Sequence, residues 1–167
     1  MKKLKTPTTD AKIKELDVGD KLLLSGTIFT GRDAVLPKLV SLIENQTNSL
    51  PFSLNGIAIM HTAVSDAGIA PTTSNKEEIE STIPILSKEG VKIHIGKGKL
   101  SKSSVESLKI ANSIFVVTPP VAALLSSSIK SKKVVAFKEE GMEAIFKLEV
   151  ENIPGIVAIS KGKSIFE

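Results

Sequence analysis

Three short segments place cations or hydroxyls at turns, where a bound anion meets backbone donors. The first is Thr30-Gly31-Arg32-Asp33, which closes a run of apolar residues. Arginine offers a planar fork of N–H groups that matches a carboxylate, and a following helix start adds donors of the same preference. The plainer reading is that Asp33 caps the helix and Arg32 is solvated. The second segment is Pro71-Thr72-Thr73-Ser74-Asn75-Lys76-Glu77. Ser74 and Glu77 have the spacing of a capping box, which leaves Thr72 and Thr73 just ahead of a helical turn. A cap uses one hydroxyl; three beside open N–H groups make an anion cradle. The third is Ile95-Gly96-Lys97-Gly98-Lys99. Its glycines permit a tight turn and close approach by a ligand. It is neither a P-loop nor a dinucleotide fingerprint, since the required spacing fails at Ser101. A solvated loop is the alternative.

Other chemistries are poorly supplied. The chain has no cysteine, which excludes disulfides, a thiol nucleophile and a cysteine-held zinc or iron–sulfur centre on these residues. Of the two histidines, His94 alternates within V-K-I-H-I as a sheet residue, while His61 stands near a strand end. Neither has the spacing of a metal site or a hydrolase triad, so no metal ligand is expected. The net charge of +4 and pI of 9.2 are mild, and without Trp or Tyr a base-stacking surface is lacking, so no nucleic-acid partner is expected. No apolar run reaches the roughly 20 residues of a membrane span. The basic N-terminus has no apolar stretch behind it, and a cytoplasmic location is the expectation.

The elements that must position these segments follow from periodicity. Residues 1–20 read as a polar lead-in ending at the turn Val18-Gly19-Asp20. Lys21–Thr30 reads as a strand with a bulge at Gly26. Asp33 would cap a helix whose Leu36, Leu39, Val40 and Ile43 share a face. Gly56–Val64 is a buried-type strand, and Pro84 marks a helix start. Val91–Ile95 is a strand, and a helix follows near Ser101–Ser104, with Ser103 and Glu106 as its capping box. Then come strand Ile114–Val117, helix Val121–Ile129, strand Val134–Phe137, and strands at Gly155–Ile159 and Ser164–Phe166. This alternation favours an α/β fold with a mainly parallel sheet. With 41% hydrophobic and 24% charged residues, 1–167 reads as one globular domain.

In order, the motifs resemble the class I fumarase C-terminal domain and the tartrate dehydratase β subunit. The resemblance rests on Leu16–Asp20, Ser25–Ala34, Pro71–Ser74, Ile95–Gly98, Gly141-Met142-Glu143-Ala144 and Val150–Pro154. It implies a swivelling β/β/α three-layer domain, and a hydro-lyase active only with a partner. That partner would be an α subunit holding a 4Fe–4S cluster as Lewis acid, in an arrangement such as α2β2. The implied reaction is reversible dehydration of a hydroxy-dicarboxylate, malate/fumarate first and tartrate second. By the same resemblance Arg32 and Lys97 bind carboxylate, Thr72 and Thr73 contact substrate and one shares in proton transfer, and Ser74 and Lys76 complete the binding set. The chain departs from the family pattern at Leu36, where a histidine is usual, and at Lys76, where arginine is usual. Ala63-Val64, Ala70 and Pro119-Pro120 replace glycine-bearing positions. These changes leave substrate choice open, and a non-catalytic binding subunit is the alternative from another class.

Overall fold

The computed structural model describes residues 1–46, 49–66, 68–69, 76–118 and 122–166. In chain order the elements are β1 (Lys2–Thr6), α1 (Asp10–Lys14), β2 (Lys21–Thr30), α2 (Leu36–Glu44) and β3 (Ala58–Met60). They continue with α3 (Lys76–Glu80), α4 (Ile83–Lys88), β4 (Ile93–Gly96), α5 (Lys102–Ala111), β5 (Ile114–Val117) and α6 (Ala122–Ser127). Strand β6 (Ile129–Ala136), a 3-10 segment (Lys138–Glu143), β7 (Ile145–Ser160) and β8 (Lys163–Ser164) end the chain.

The fold is mixed α/β around a single eight-stranded sheet. Strands β1 to β5 pair in sequence and in parallel, while β7 runs antiparallel to β2, β5, β6 and β8. Among the described residues, four pairings are therefore parallel and four antiparallel, so the sheet is mixed where a mainly parallel one was expected. The cause is the length of β7. Its 16 residues cross β2 with one stretch and β5 with the next, so β2-β3-β4-β5-β7 closes on itself like a small barrel. Asn152, opposite the β2 register shift, takes a left-handed φ of 54° and donates its N–H to Ser25 Oγ at 2.9 Å.

Strand alternation sorts the core. Ala58, Met60, Ile93, Ile95, Ile114 and Val116 face inward with Leu22, Leu24, Leu148 and Val157. The alternate residues face helices: Ile59 packs with Leu36 and Leu39 of α2, and Phe115 with Val105 and Leu108 of α5. Placing Leu36, Leu39 and Val40 on one buried face matches the sequence expectation.

Two further expectations are corrected. The lead-in contains β1, because an edge strand needs only alternate buried side chains; Leu4 and Thr6 supply them while lysines line the exposed face. Asp33 does not cap α2. Its N-cap is Val35 without a side-chain bond, the Arg32 carbonyl accepts from Leu36 N at 2.9 Å, and Pro37 in the first turn has no N–H to satisfy. The expected bulge at Gly26 is present: the β2–β7 register shifts there, and a Cβ would lie 2.3 Å from the Thr6 carbonyl oxygen.

Candidate active-site rim

The candidate residues gather at the C-terminal ends of the parallel strands, where open α/β sheets bind ligands. Backbone bonds carry the ladder beyond the strands. Gly31 N donates to Met60 O at 3.0 Å, and His61 N donates to Ile95 O at 2.8 Å. Thus Gly31-Arg32 after β2, His61-Thr62 after β3 and Lys97 after β4 emerge side by side. Each is aligned by the same hydrophobic strands that fill the core.

Arg32 is held from a distant segment. Its Nε donates to both carboxylate oxygens of Glu143, at 2.7 and 3.1 Å, and its Nη2 also pairs with Oε1. Both side chains are largely buried. The segment carrying Glu143 is docked by two further bonds: Val64 N donates to Met142 O at 2.9 Å, and Phe146 N donates to Thr30 Oγ1 at 3.2 Å. A fork engaged on two nitrogens is fixed in plane and direction.

Lys97 stands differently. It is exposed and makes no ion pair among the described residues. With Lys76, Glu80 and His61 it lines a narrow cleft floored by Ile79, Ile83, Leu100 and Phe115. Partial burial of Glu80 opposes its ionisation. Ser101, through its backbone N–H at 2.9 Å, Ser104 Oγ at 2.7 Å and the charge of Lys76 outweigh that, and its carboxyl titrates below the usual range. Glu80 thereby ties α3 to the start of α5. That helix is capped by Ser101, whose Oγ accepts from Ser104 N at 3.2 Å; Ser103 is not the cap.

His61 and His94 form a buried pair, ring centroids 6.3 Å apart. His94 behaves as a sheet residue, its Nε2 sharing a 2.7 Å hydrogen bond with Ser87 Oγ. Burial, and secondarily the neighbouring His61, lower its pKa to about 3; burial lowers that of His61 to about 4. Both imidazoles are neutral at physiological pH. Gly96 gives His61 its place: a Cβ there would meet His61 Nδ1 at 2.8 Å and the Phe115 ring at 3.0 Å.

Of the residues expected from sequence, Lys76 and Lys97 are brought to one cleft, and Arg32 lies on the same rim. Thr72, Thr73 and Ser74 lie outside the described residues. Glu143 and Glu80 carried no sequence signal of a role. Glu143 stood in a quoted motif, but its partner lies 111 residues away.

A profile of the fumarase C-terminus matches residues 2–167. The chain belongs to the fumarase C-terminal family. Its similarity extends to a Methanocaldococcus jannaschii protein provisionally named L(+)-tartrate dehydratase subunit beta, 34% identical, with 95% of this chain and 88% of that protein covered. The L(+)-tartrate dehydratase subunit beta of Escherichia coli K12 is 30% identical over 95% of this chain and 83% of that subunit. The anaerobic class I fumarate hydratase of the same organism is also 30% identical, but the chain covers only 30% of it. The fumarase C-terminal chain thus spans most of each β subunit and about a third of a class I fumarate hydratase. Its relatives are hydro-lyases, and the chain is of that enzyme class.

Proposed function

We propose that the chain is the β subunit of a two-subunit iron–sulfur hydro-lyase that reversibly dehydrates a four-carbon hydroxy-dicarboxylate of the malate/fumarate or tartrate kind. The observation that carries this reading is the strand-end rim, where Arg32 follows β2 and Lys97 follows β4, with Lys76 at the start of α3 lining the same cleft as Lys97. A dicarboxylate needs two charge clamps, and two separated cations meet that need. Removing a proton next to a carboxylate builds negative charge, which fixed cations stabilise. In this reading Arg32, oriented by Glu143, and Lys97 bind the carboxylates. Lys76 and Ser74 complete the binding set. Thr72 and Thr73 contact the substrate, one of them in the proton-transfer step.

The chain's own residues do not fit a 4Fe–4S cluster. It has no cysteine, and the described residues contain no group of three His, Asp or Glu that could hold a metal ion. The proposal therefore assigns the cluster to an α subunit, as the near full-length match to proteins named as β subunits supports. The single domain is read as the swivelling β/β/α type, closing over substrate held against the partner. A cytoplasmic setting belongs to the same proposal; no helix among the described residues is long and apolar enough to cross a membrane.

The test is anaerobic co-expression with a cluster-bearing α-type subunit, followed by malate and tartrate assays. The chain alone should be folded, colourless and inactive, and the complex should turn over one of these acids. A cluster-loaded complex that dehydrates neither would overturn the reading.

A further inference from the structure

Among the described residues two buried polar atoms near the rim lack a partner, Thr118 Oγ1 and His61 Nε2, and the second lines the cleft. His61 is 4% exposed, yet its Nε2 makes no hydrogen bond among the described residues. An imidazole nitrogen left unpaired in the interior costs on the order of 1–3 kcal/mol. Such a group is retained most readily where a ligand completes it. His61 lines the cleft that Lys97 and Lys76 border, and that cleft has an open volume of about 10 Å³, room for one water-sized group. A single hydroxyl fits that space.

The surroundings also select the charge of the occupant. Ile79, Ile83, Leu100, Phe115 and the ionised Glu80 form the other described walls, where a buried anion is costly and a neutral hydroxyl is not. A neutral imidazole carries one donor and one acceptor, the same complement that a hydroxyl offers. The lysines at the mouth are left for carboxylates. Backbone geometry holds the ring in this position, since His61 N is bonded to Ile95 O at 2.8 Å and Gly96 leaves the space beside Nδ1.

We propose that His61 is a substrate-binding residue that takes a second, non-leaving hydroxyl, so that the site prefers a dihydroxy-dicarboxylate over a monohydroxy one. This rests on the hydro-lyase reading above and narrows its substrate class to the tartrate kind. A site built to pair a hydroxyl discriminates strongly against an analogue without it, because its own polar group is then stranded.

Two measurements test it. Because the chain has only two histidines, ring nitrogen-15 NMR of the full chain resolves them, with His94 as internal reference. Titration with L(+)-tartrate should shift the His61 ring signals, while succinate, which has no hydroxyl, should leave them in place. Equal shifts with both acids, or none with either, would overturn the proposal. In the reconstituted complex, His61→Phe should lower the ratio of kcat/KM for tartrate to that for malate by about tenfold or more. His61→Asn, which keeps a donor and an acceptor, should restore part of that ratio. An unchanged ratio in His61→Phe sinks the proposal while the hydro-lyase reading stands. Conversely, a wild-type complex that dehydrates nothing, with His61 still answering to tartrate, would remove the hydro-lyase reading and keep the hydroxyl site.

Discussion

Arg32 and Lys97 leave the same rim of the sheet with the same charge, but they are held in opposite ways. The guanidinium is clamped by Glu143, and both partners are largely buried. The ammonium of Lys97 is exposed and has no ion pair among the described residues, beside a cleft with an unpaired imidazole. The first corner is complete within the chain. The second is left unpaired by the described residues. That difference shows which cation is held in place by the described residues and which is not, a distinction that residue type alone does not make.

The cleft side breaks most easily at its floor. Gly96→Ala would place a methyl 2.8 Å from His61 Nδ1 and 3.0 Å from Phe115, so one of the rings must move. A loss of about 1–3 kcal/mol in urea unfolding is expected, together with altered His61 ring signals. An unchanged midpoint with unmoved signals would mean that the glycine does not set the ring.

The buried histidines give a pH signature. Their pKa values are near 4 and 3 in the folded chain against the ordinary 6.5. Between those values the unfolded chain binds more protons. Stability should therefore be full above about pH 6.5 and fall as the pH drops toward 4, by roughly 6 kcal/mol for the two groups together. Replacing His94 with Gln should flatten that decline in a urea series across this range, and a slope that is unaffected would contradict the assignment.

The smallest effect belongs to the other corner. Glu143→Gln keeps an acceptor for Arg32 but removes the charge of a partly buried pair, and should cost about 1 kcal/mol of stability. Because Glu143 orients Arg32, KM should rise several-fold with kcat little changed. A lower KM would instead mean that Glu143 competes with substrate for the guanidinium.

The local parts of this picture were legible in the chain. Lys21–Thr30 and Ile114–Val117 are strands as their apolar runs predict, and Pro84 sits in the first turn of α4. Long-range parts were hidden. The expected strand began only at Gly155, whereas β7 runs from Ile145 to Ser160 by pairing with β2 on one stretch and β5 on the next. β1 contains too few apolar residues to announce itself. Ser101 won over Ser103 as the cap because its Oγ reaches Ser104 N. The rim shows the same division. Arg32, Lys76 and Lys97 were visible as cations at turns, whereas the clamp on Arg32 comes from contact across the fold. The unpaired state of His61 is likewise a matter of burial, which no local pattern encodes.

The most direct test of the account is the kcat/KM of the anaerobically reconstituted complex for its hydroxy-dicarboxylate, compared between wild type and Lys97→Ala at matched cluster content. Lys97 is exposed, so the variant should fold and assemble, and kcat/KM should fall about 100-fold or more. A variant that turns over substrate as fast as wild type would contradict the assignment of Lys97 and of the cleft it borders.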